Sequence, residues 1–279
     1  MLLSFACLLG ACDSKHSGGA TTRPAGVTVA SLVPAATDLI LAMNAGDELV
    51  AVSNYDPAEV ASRKLPRVGD YQTTDWETLA ALRPTVMIME MSPVRLPAGF
   101  GGNAASLGIK LVNVRLNSLQ DILDGSRRIG QEIGQPNRGA ELADRLAERM
   151  DAVRRKAAGK PPVRTLLTLD ERAEHLVGTG EFLNDALEAA GGVNVASSLN
   201  GSYPSADPEM LAKLKPDVVI ILKPSADEGT LVKAKEFWST LGGAPRVYLL
   251  KDQWALLPGA HVADIAEAFE ACLHPSPRP

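Results

Sequence analysis

The strongest constraint in this sequence is a repeat. Residues 69–89 (GDYQTTDWETLAALRPTVMIM) and 201–221 (GSYPSADPEMLAKLKPDVVII) align without a gap at an offset of 132. They share 10 of 21 positions, among them Gly69/Gly201, Tyr71/Tyr203, Asp75/Asp207, Glu77/Glu209, Pro84/Pro216 and Ile88/Ile220. Each copy reads as a glycine-tyrosine loop, an acidic helix cap, two turns of helix with leucines on one face, a proline stop and an apolar strand. Asp207 followed by Pro208 has the form of an N-cap and first helical residue, and Asp75 holds the matching place. The runs VMIM and VVII are too continuous for half-exposed strands, so each is expected to be a parallel strand covered on both faces. Two copies imply two similar lobes, with a ligand between them.

The length of 279 residues suits two cores better than one. A net charge of −5 gives no reason to expect nucleic acid. Residues 1–12, MLLSFACLLGAC, form an apolar run too short to span a bilayer, and its end, Leu9-Gly10-Ala11-Cys12, resembles the lipobox of bacterial lipoprotein signal peptides. On that resemblance Cys7 is removed with the signal peptide and Cys12 becomes a lipidated N-terminus. The protein is then exported and lipid-anchored to the cell membrane, facing the periplasm or outer surface. Cys272 remains without a disulfide partner. It shares helical spacing with Ile265, Phe269 and Leu273, so a buried thiol acting as a small hydrophobe is expected.

Residues 13–26 read as a flexible tether of at most about 45 Å. Residues 27–117 alternate strand and helix patterns and form a first β/α lobe: a strand at 27–33, a helix opened by Pro34, a strand at 49–53, the repeat, then helix, glycine turn and strand over 101–114. Residues 118–160 switch to helical spacing, split by Pro136, with a long helix over about Asn137 to Ala158. Its charged residues Glu141, Arg145, Glu148, Arg149, Arg154 and Arg155 read as a solvated face. Residues 161–273 repeat the β/α grammar as a second lobe, ending in a strand at 246–250 and a helix over 260–273, and 274–279 are a tail. The expected fold class is α/β: two β/α lobes, each with a mostly parallel sheet, bridged by one long helix, with the cleft between lobes. A single rigid helix as bridge allows only small hinge motion.

The runs VASLVPAATDLILAMNAGDELVAVS, ASLGIKLVNV and FLNDALEAAGGVNV, with the two repeat copies and the last helix, resemble the substrate-binding proteins of bacterial ABC importers with a helical backbone. That family takes up vitamin B12, ferric siderophores, haem or metal ions, and the likeness covers Val27 to Leu273. Its vitamin B12 binders look closest. The resemblance implies a ligand site of Pro34, Tyr55, Tyr71, His175, Tyr203, Asp252, Trp254 and His261. The aromatic residues would surround a corrin ring, Asp252 would be the acid beside Trp254, and His175 stands where such proteins can carry a phenylalanine. It also implies that Glu77 and Glu209 dock against arginines of an inner-membrane permease dimer, although an acid in a first helical turn equally well complements the macrodipole. His261 reads either as a helix-start residue or as a ligand contact, since the family's closing-loop arginine is absent from Leu257-Pro258-Gly259-Ala260. The implied protein is a monomer that carries cobalamin or a related corrinoid as cargo and needs no cofactor.

Placement of these loops agrees with the general rule that open parallel sheets bind ligands beyond the carboxyl ends of their strands, and flat aromatic faces suit a large, rigid, amphipathic ligand. The alternative is a ferric siderophore or haem on the same scaffold, which would call for arginines in the cleft, where Arg95 is the obvious loop candidate. A structural or signalling module on this scaffold ranks lower. A bare-metal site is disfavoured because of four histidines, His16, His175, His261 and His274, two lie in tether or tail. No GxSxG, HExxH, P-loop lysine or CxxC is present, so an enzyme is not expected.

Overall fold

The structure, a computed structural model, describes residues 26–57, 64–70, 72–92 and 95–275. The signal segment with Cys12, nearly all of the tether, Tyr71 and the end of the tail lie outside the described residues.

The first half runs β1 (Val29–Ser31), α1 (Pro34–Ala42), β2 (Leu49–Ala51), α2 (Trp76–Leu82), β3 (Val86–Met89), α3 (Phe100–Ser106) and β4 (Lys110–Asn113). Two helices follow, α4 (Leu119–Glu132) and α5 (Pro136–Ala157). The second half runs β5 (Val163–Thr168), α6 (Phe182–Ala189), β6 (Gly192–Asn194), a 3-10 turn at Val195–Ser198, α7 (Pro208–Leu214), β7 (Val218–Leu222), α8 (Glu228–Thr240), β8 (Arg246–Leu250) and α9 (Val262–Leu273). The strands form two sheets of four, ordered β2-β1-β3-β4 and β6-β5-β7-β8, and every pairing is parallel. The second order is the first with four added to each number.

The offset of 132 therefore relates α2 to α7 and β3 to β7, and it extends to details of the caps. Asp75 accepts the Thr78 N–H and Asp207 accepts the Met210 N–H. At the other end Arg83 (φ 48°) and Lys215 (φ 45°) both close their helices in the left-handed region. Proline follows each, where the helix cannot continue.

Alternation along the two repeat strands decides the layering. Val86 and Ile88 of β3, and Val218, Ile220 and Leu222 of β7, enter one continuous core. Met87 and Met89 face a smaller cluster with Leu79 and Phe100, whereas Val219 and Ile221 face another with Leu211 and Trp238. The continuous core is completed by α1, α4, α5, α6 and α9, so one layer of helices covers a face of both sheets. α5 is the long element of this layer, 22 residues or about 33 Å. The connection is thus a hairpin of two packed helices, split at Pro136 as expected, with α5 the long one.

The hairpin crosses at two glycines. A Cβ on Gly139 would lie 2.6 Å from the Ser126 carbonyl, and one on Gly130 would lie 2.8 Å from the Gly139 Cα. At the far end of α5, Lys160 donates to Glu270 of α9 at 2.7 Å and Lys156 pairs with the same carboxylate. Burial opposes ionisation of Glu270, but the two ammonium groups more than offset it and hold its carboxyl below the usual range.

Within the solvated face of α5, exposed Arg145 also donates to the Ala42 carbonyl, and Arg149 makes part-exposed ion pairs with Asp264 and Glu267 of α9. Several expectations need correction. Cys272 is half-buried rather than sealed in, with burial pushing its thiol up to about 11. Helix α8 has no counterpart in the sequence reading; Asp227 caps it by accepting the Thr230 N–H. The first strand is shorter than expected, as is the second, where Val52 continues only as a bridge to Arg67. Among the described residues no helix is long and apolar enough to cross a membrane.

Because the glycine crossing leaves no room for a methyl group, Gly139→Ala is expected to destabilise the fold by about 1–3 kcal/mol. Urea unfolding of variant and wild type measures it; an unchanged midpoint would mean that the hairpin can part without cost.

Candidate functional site

Parallel strands deliver their loops to one end of each sheet. After β2, Ser53 to Asp56 form a turn in which Asp56 is buried and accepts the Ser53 N–H at 2.7 Å; burial pushes its carboxyl up to about 6. Arg67 fixes the same turn by donating to the carbonyls of Ser53, Asn54 and Asp56 at 2.8–3.0 Å. Tyr55 is thereby presented on a rigid turn with 73% of its surface exposed. Next along the chain, Asp70 accepts the Gln72 and Thr73 N–H groups, and Gly69 (φ 90°) allows the turn to close. A Cβ there would lie 1.8 Å from the Thr73 carbonyl.

In the second half the Tyr203 loop is fastened to the segment after β5. Leu176 donates to the Pro204 carbonyl at 3.0 Å and Gly178 to that of Ser202 at 2.7 Å. A side chain on Gly178 would collide with the Gly201 carbonyl at 2.2 Å. The Tyr203 hydroxyl donates to Glu181 at 3.3 Å. Loss of water contact, with the neighbouring carboxylate, pushes this phenol up to about 12, although the residue as a whole remains 51% exposed.

The loop after β8 holds Asp252, whose carboxylate accepts the Trp254 N–H at 2.8 Å. Trp254 stacks on His261 with ring centres 4.6 Å apart and planes 19° from parallel. His261 lies at the start of α9, with Nδ1 3.1 Å from Asp264 and Nε2 3.5 Å from Asp38 of α1. His175 is exposed and turned onto Asp170, which also accepts the backbone N–H groups of Arg172, Glu174 and His175. Pro34 opens α1 immediately after β1, half-buried.

Three acids absent from the predicted site, Glu90, Glu181 and Asp38, contact loops that follow the sheet strands. Glu90 follows β3 and accepts the Leu116 N–H at 2.8 Å; burial raises its carboxyl, and Asp121 and Glu181 add to the effect. Glu181 lies near enough for its charge to act on Glu90, so a carboxylate from each half stands in the same region. A signal existed for Glu90, an acid directly after the apolar run VMIM. Asp38 was likewise legible as the one charge within PAATDLILA. Glu77 and Glu209 are exposed in the first turns of α2 and α7, with Glu209 paired to Lys213. Among the described residues no three His, Cys, Asp or Glu side chains gather as metal ligands.

The model of the periplasmic binding protein family matches residues 29–240. The chain belongs to this family. As a periplasmic binding protein it is of the type that serves ABC importers, binding a small ligand rather than transforming it. Its curated relatives include the vitamin B12-binding protein of Vibrio cholerae, 24% identical over 239 residues (86% of each chain). The Salmonella typhimurium protein of the same name is 27% identical over 231 residues, 80% of this chain and 82% of the relative. Among solved structures, periplasmic vitamin B12 binding protein BtuF of V. cholerae superposes with a TM-score of 0.71 at 23% identity, covering 89% of this chain and 96% of that one. The periplasmic heme binding protein HutB of V. cholerae gives 0.75 at 24% identity, covering 89% and 99%. Both carry the same two-lobed α/β fold.

Replacing Glu181 by Gln removes the charge beside Tyr203, so its phenol should ionise closer to the ordinary value of about 10. Ultraviolet difference titration of the tyrosines reads this directly, and superimposable curves would contradict the contact.

Proposed function

We propose that this periplasmic binding protein captures cobalamin or a related corrinoid between its two β/α halves and delivers it to an inner-membrane permease dimer. The observation that carries the reading is the combination, at one end of the molecule, of aromatic faces from both halves (Tyr55, Tyr203, Trp254) with the carboxylates Glu90 and Glu181. A corrin ring offers a broad apolar surface for the aromatics and a rim of neutral carboxamides whose N–H groups suit carboxylate acceptors. Haem and many siderophores bring carboxylates or other anionic groups instead. Arg67 is occupied by three carbonyls of its own turn and Arg115 by Asp121, so neither is available as their counterion.

The second reading, haem, is favoured by the likeness to HutB and by tyrosines that could ligate ferric iron. Against it, a phenol raised to about 12 beside a carboxylate resists becoming a phenolate ligand. In the proposed scheme Pro34, Tyr71, His175, Asp252 and His261 complete the ligand surroundings, and Glu77 and Glu209 are the symmetric docking pair. Residues 27–117 and 161–273 act as the two lobes, and Cys12 carries the lipid anchor.

Calorimetric titration of the chain from residue 24 onward with cyanocobalamin, haemin and a ferric siderophore tests the proposal. One-to-one binding of cobalamin at submicromolar affinity is the expected result; heat with haemin or the siderophore alone would transfer the site to that ligand. Tyr203→Ala and Trp254→Ala should each weaken cobalamin binding about tenfold or more, about 1.4 kcal/mol. The double substitution Glu77→Ala, Glu209→Ala should leave the titration unchanged and reduce uptake in cells. Loss of binding in that double variant would refute the docking role.

A further inference from the structure

His261 stands between two carboxylates on different elements. Its Nδ1 is 3.1 Å from Asp264 of its own helix α9, and its Nε2 is 3.5 Å from Asp38 of α1 in the other half. A neutral imidazole has one N–H, so it can serve one of these acceptors and must turn a lone pair toward the other. Protonated, it donates to both. Asp38 sharpens the requirement: it is 5% exposed, its Oδ2 accepts the Ala260 N–H at 2.6 Å, and His261 is its ion-pair partner among the described residues.

The surroundings make this a junction. Asp264 and Glu267 of α9 are held by Arg149 of α5, at 2.7 and 2.9 Å. Asp56 lies near enough to Asp38 to feel its charge. Gly259 lets the loop approach α1, since a Cβ there would come within 2.2 Å of the Asp38 carboxylate. Trp254 covers the imidazole face, a contact that favours a cationic ring. One side chain therefore touches an aromatic of the proposed ligand site, a helix of the opposite half and, through Asp264, the long helix of the connection.

We propose that His261 is a positioning residue: as an imidazolium it fastens the loop of residues 251–261 to α1 and fixes the face that Trp254 offers, and loss of its proton releases both. The direction of its titration agrees, because the bond to Asp38 and the charges of Asp38 and Asp264 raise the His261 pKa despite burial. A raised native pKa means that the stabilisation is complete below the unfolded value of about 6.5 and is lost as pH rises through the higher native one. The effect on ligand affinity rests on the cobalamin reading above; the coupling of His261 to Trp254 does not.

The test uses tryptophan emission of the ligand-free protein between about pH 5 and pH 9, with Trp254→Phe subtracted to isolate Trp254 from Trp76 and Trp238. Wild type should show a Trp254 transition with a midpoint above about 6.5. His261→Gln should abolish it, and Asp38→Asn, which keeps the shape of the side chain, should move it downward. Cobalamin affinity should fall on the order of threefold or more across the same transition in wild type and stay level in His261→Gln. A Trp254 transition that persists in His261→Gln, or that keeps its midpoint in Asp38→Asn, would overturn the proposal. Should wild type bind no cobalamin at any pH, the ligand reading fails and the emission titration alone decides the role of His261.

Discussion

A strand with apolar residues on both faces cannot end its sheet at a solvent boundary. In β3 and β7 alternate residues point into different clusters, and each cluster demands its own cover. On the outer faces short helices supply it: α2 and α3 in one half, α7 and α8 in the other. On the inner faces both sheets draw on a common stock, α1, α4, α5, α6 and α9, so the halves share a core that neither could close alone. The parallel order follows from the same requirement, because only crossover helices can return the chain and cover the faces at once.

With both sheets backed by one helical layer, the loops become the adjustable part. Each is pinned by hydrogen bonds to backbone groups: Arg67 on three carbonyls, Asp70 on two N–H groups, and Gly178 on the Tyr203 loop. Rigid loops on a rigid base leave relative movement of the halves to the few contacts that join them. Apart from the core, these include the Phe182 N–H donating to the Asn117 carbonyl, the Leu119 N–H to Asp185, and the group around Asp38. The first two lie at the start of the helical connection, whereas the third lies on the loop that carries Trp254.

Much of this architecture was legible because the repeat encodes it locally. An acid, a proline and a leucine pair define each short helix, and the caps at Asp75 and Asp207 are where the spacing requires. The glycine turn and the strand after it were equally plain. Helix α8 escaped because its apolar residues do not form one stripe: Ala234 and Trp238 are buried while Val232 is exposed. That the surface charges Arg145 and Arg149 reach α1 and α9 was not legible, because a helical period shows which face a residue occupies, not what packs there. Glu90, Glu181 and Asp38 gain meaning from partners 22 to 222 positions away, distances at which a sequence pattern carries no pairing information.

The shared helical layer also sets an order of assembly. A chain emerging from its N-terminus can pair β1, β2, β3 and β4 from the first 113 residues, since no later strand enters that sheet. Its inner core is not complete at that point. α9, which packs against α5 and α6, contains residues 262–273 of 279 and is the last helix to appear. A half-made molecule therefore keeps an apolar seam open until residues 262–273 are available, and such seams invite aggregation while they last.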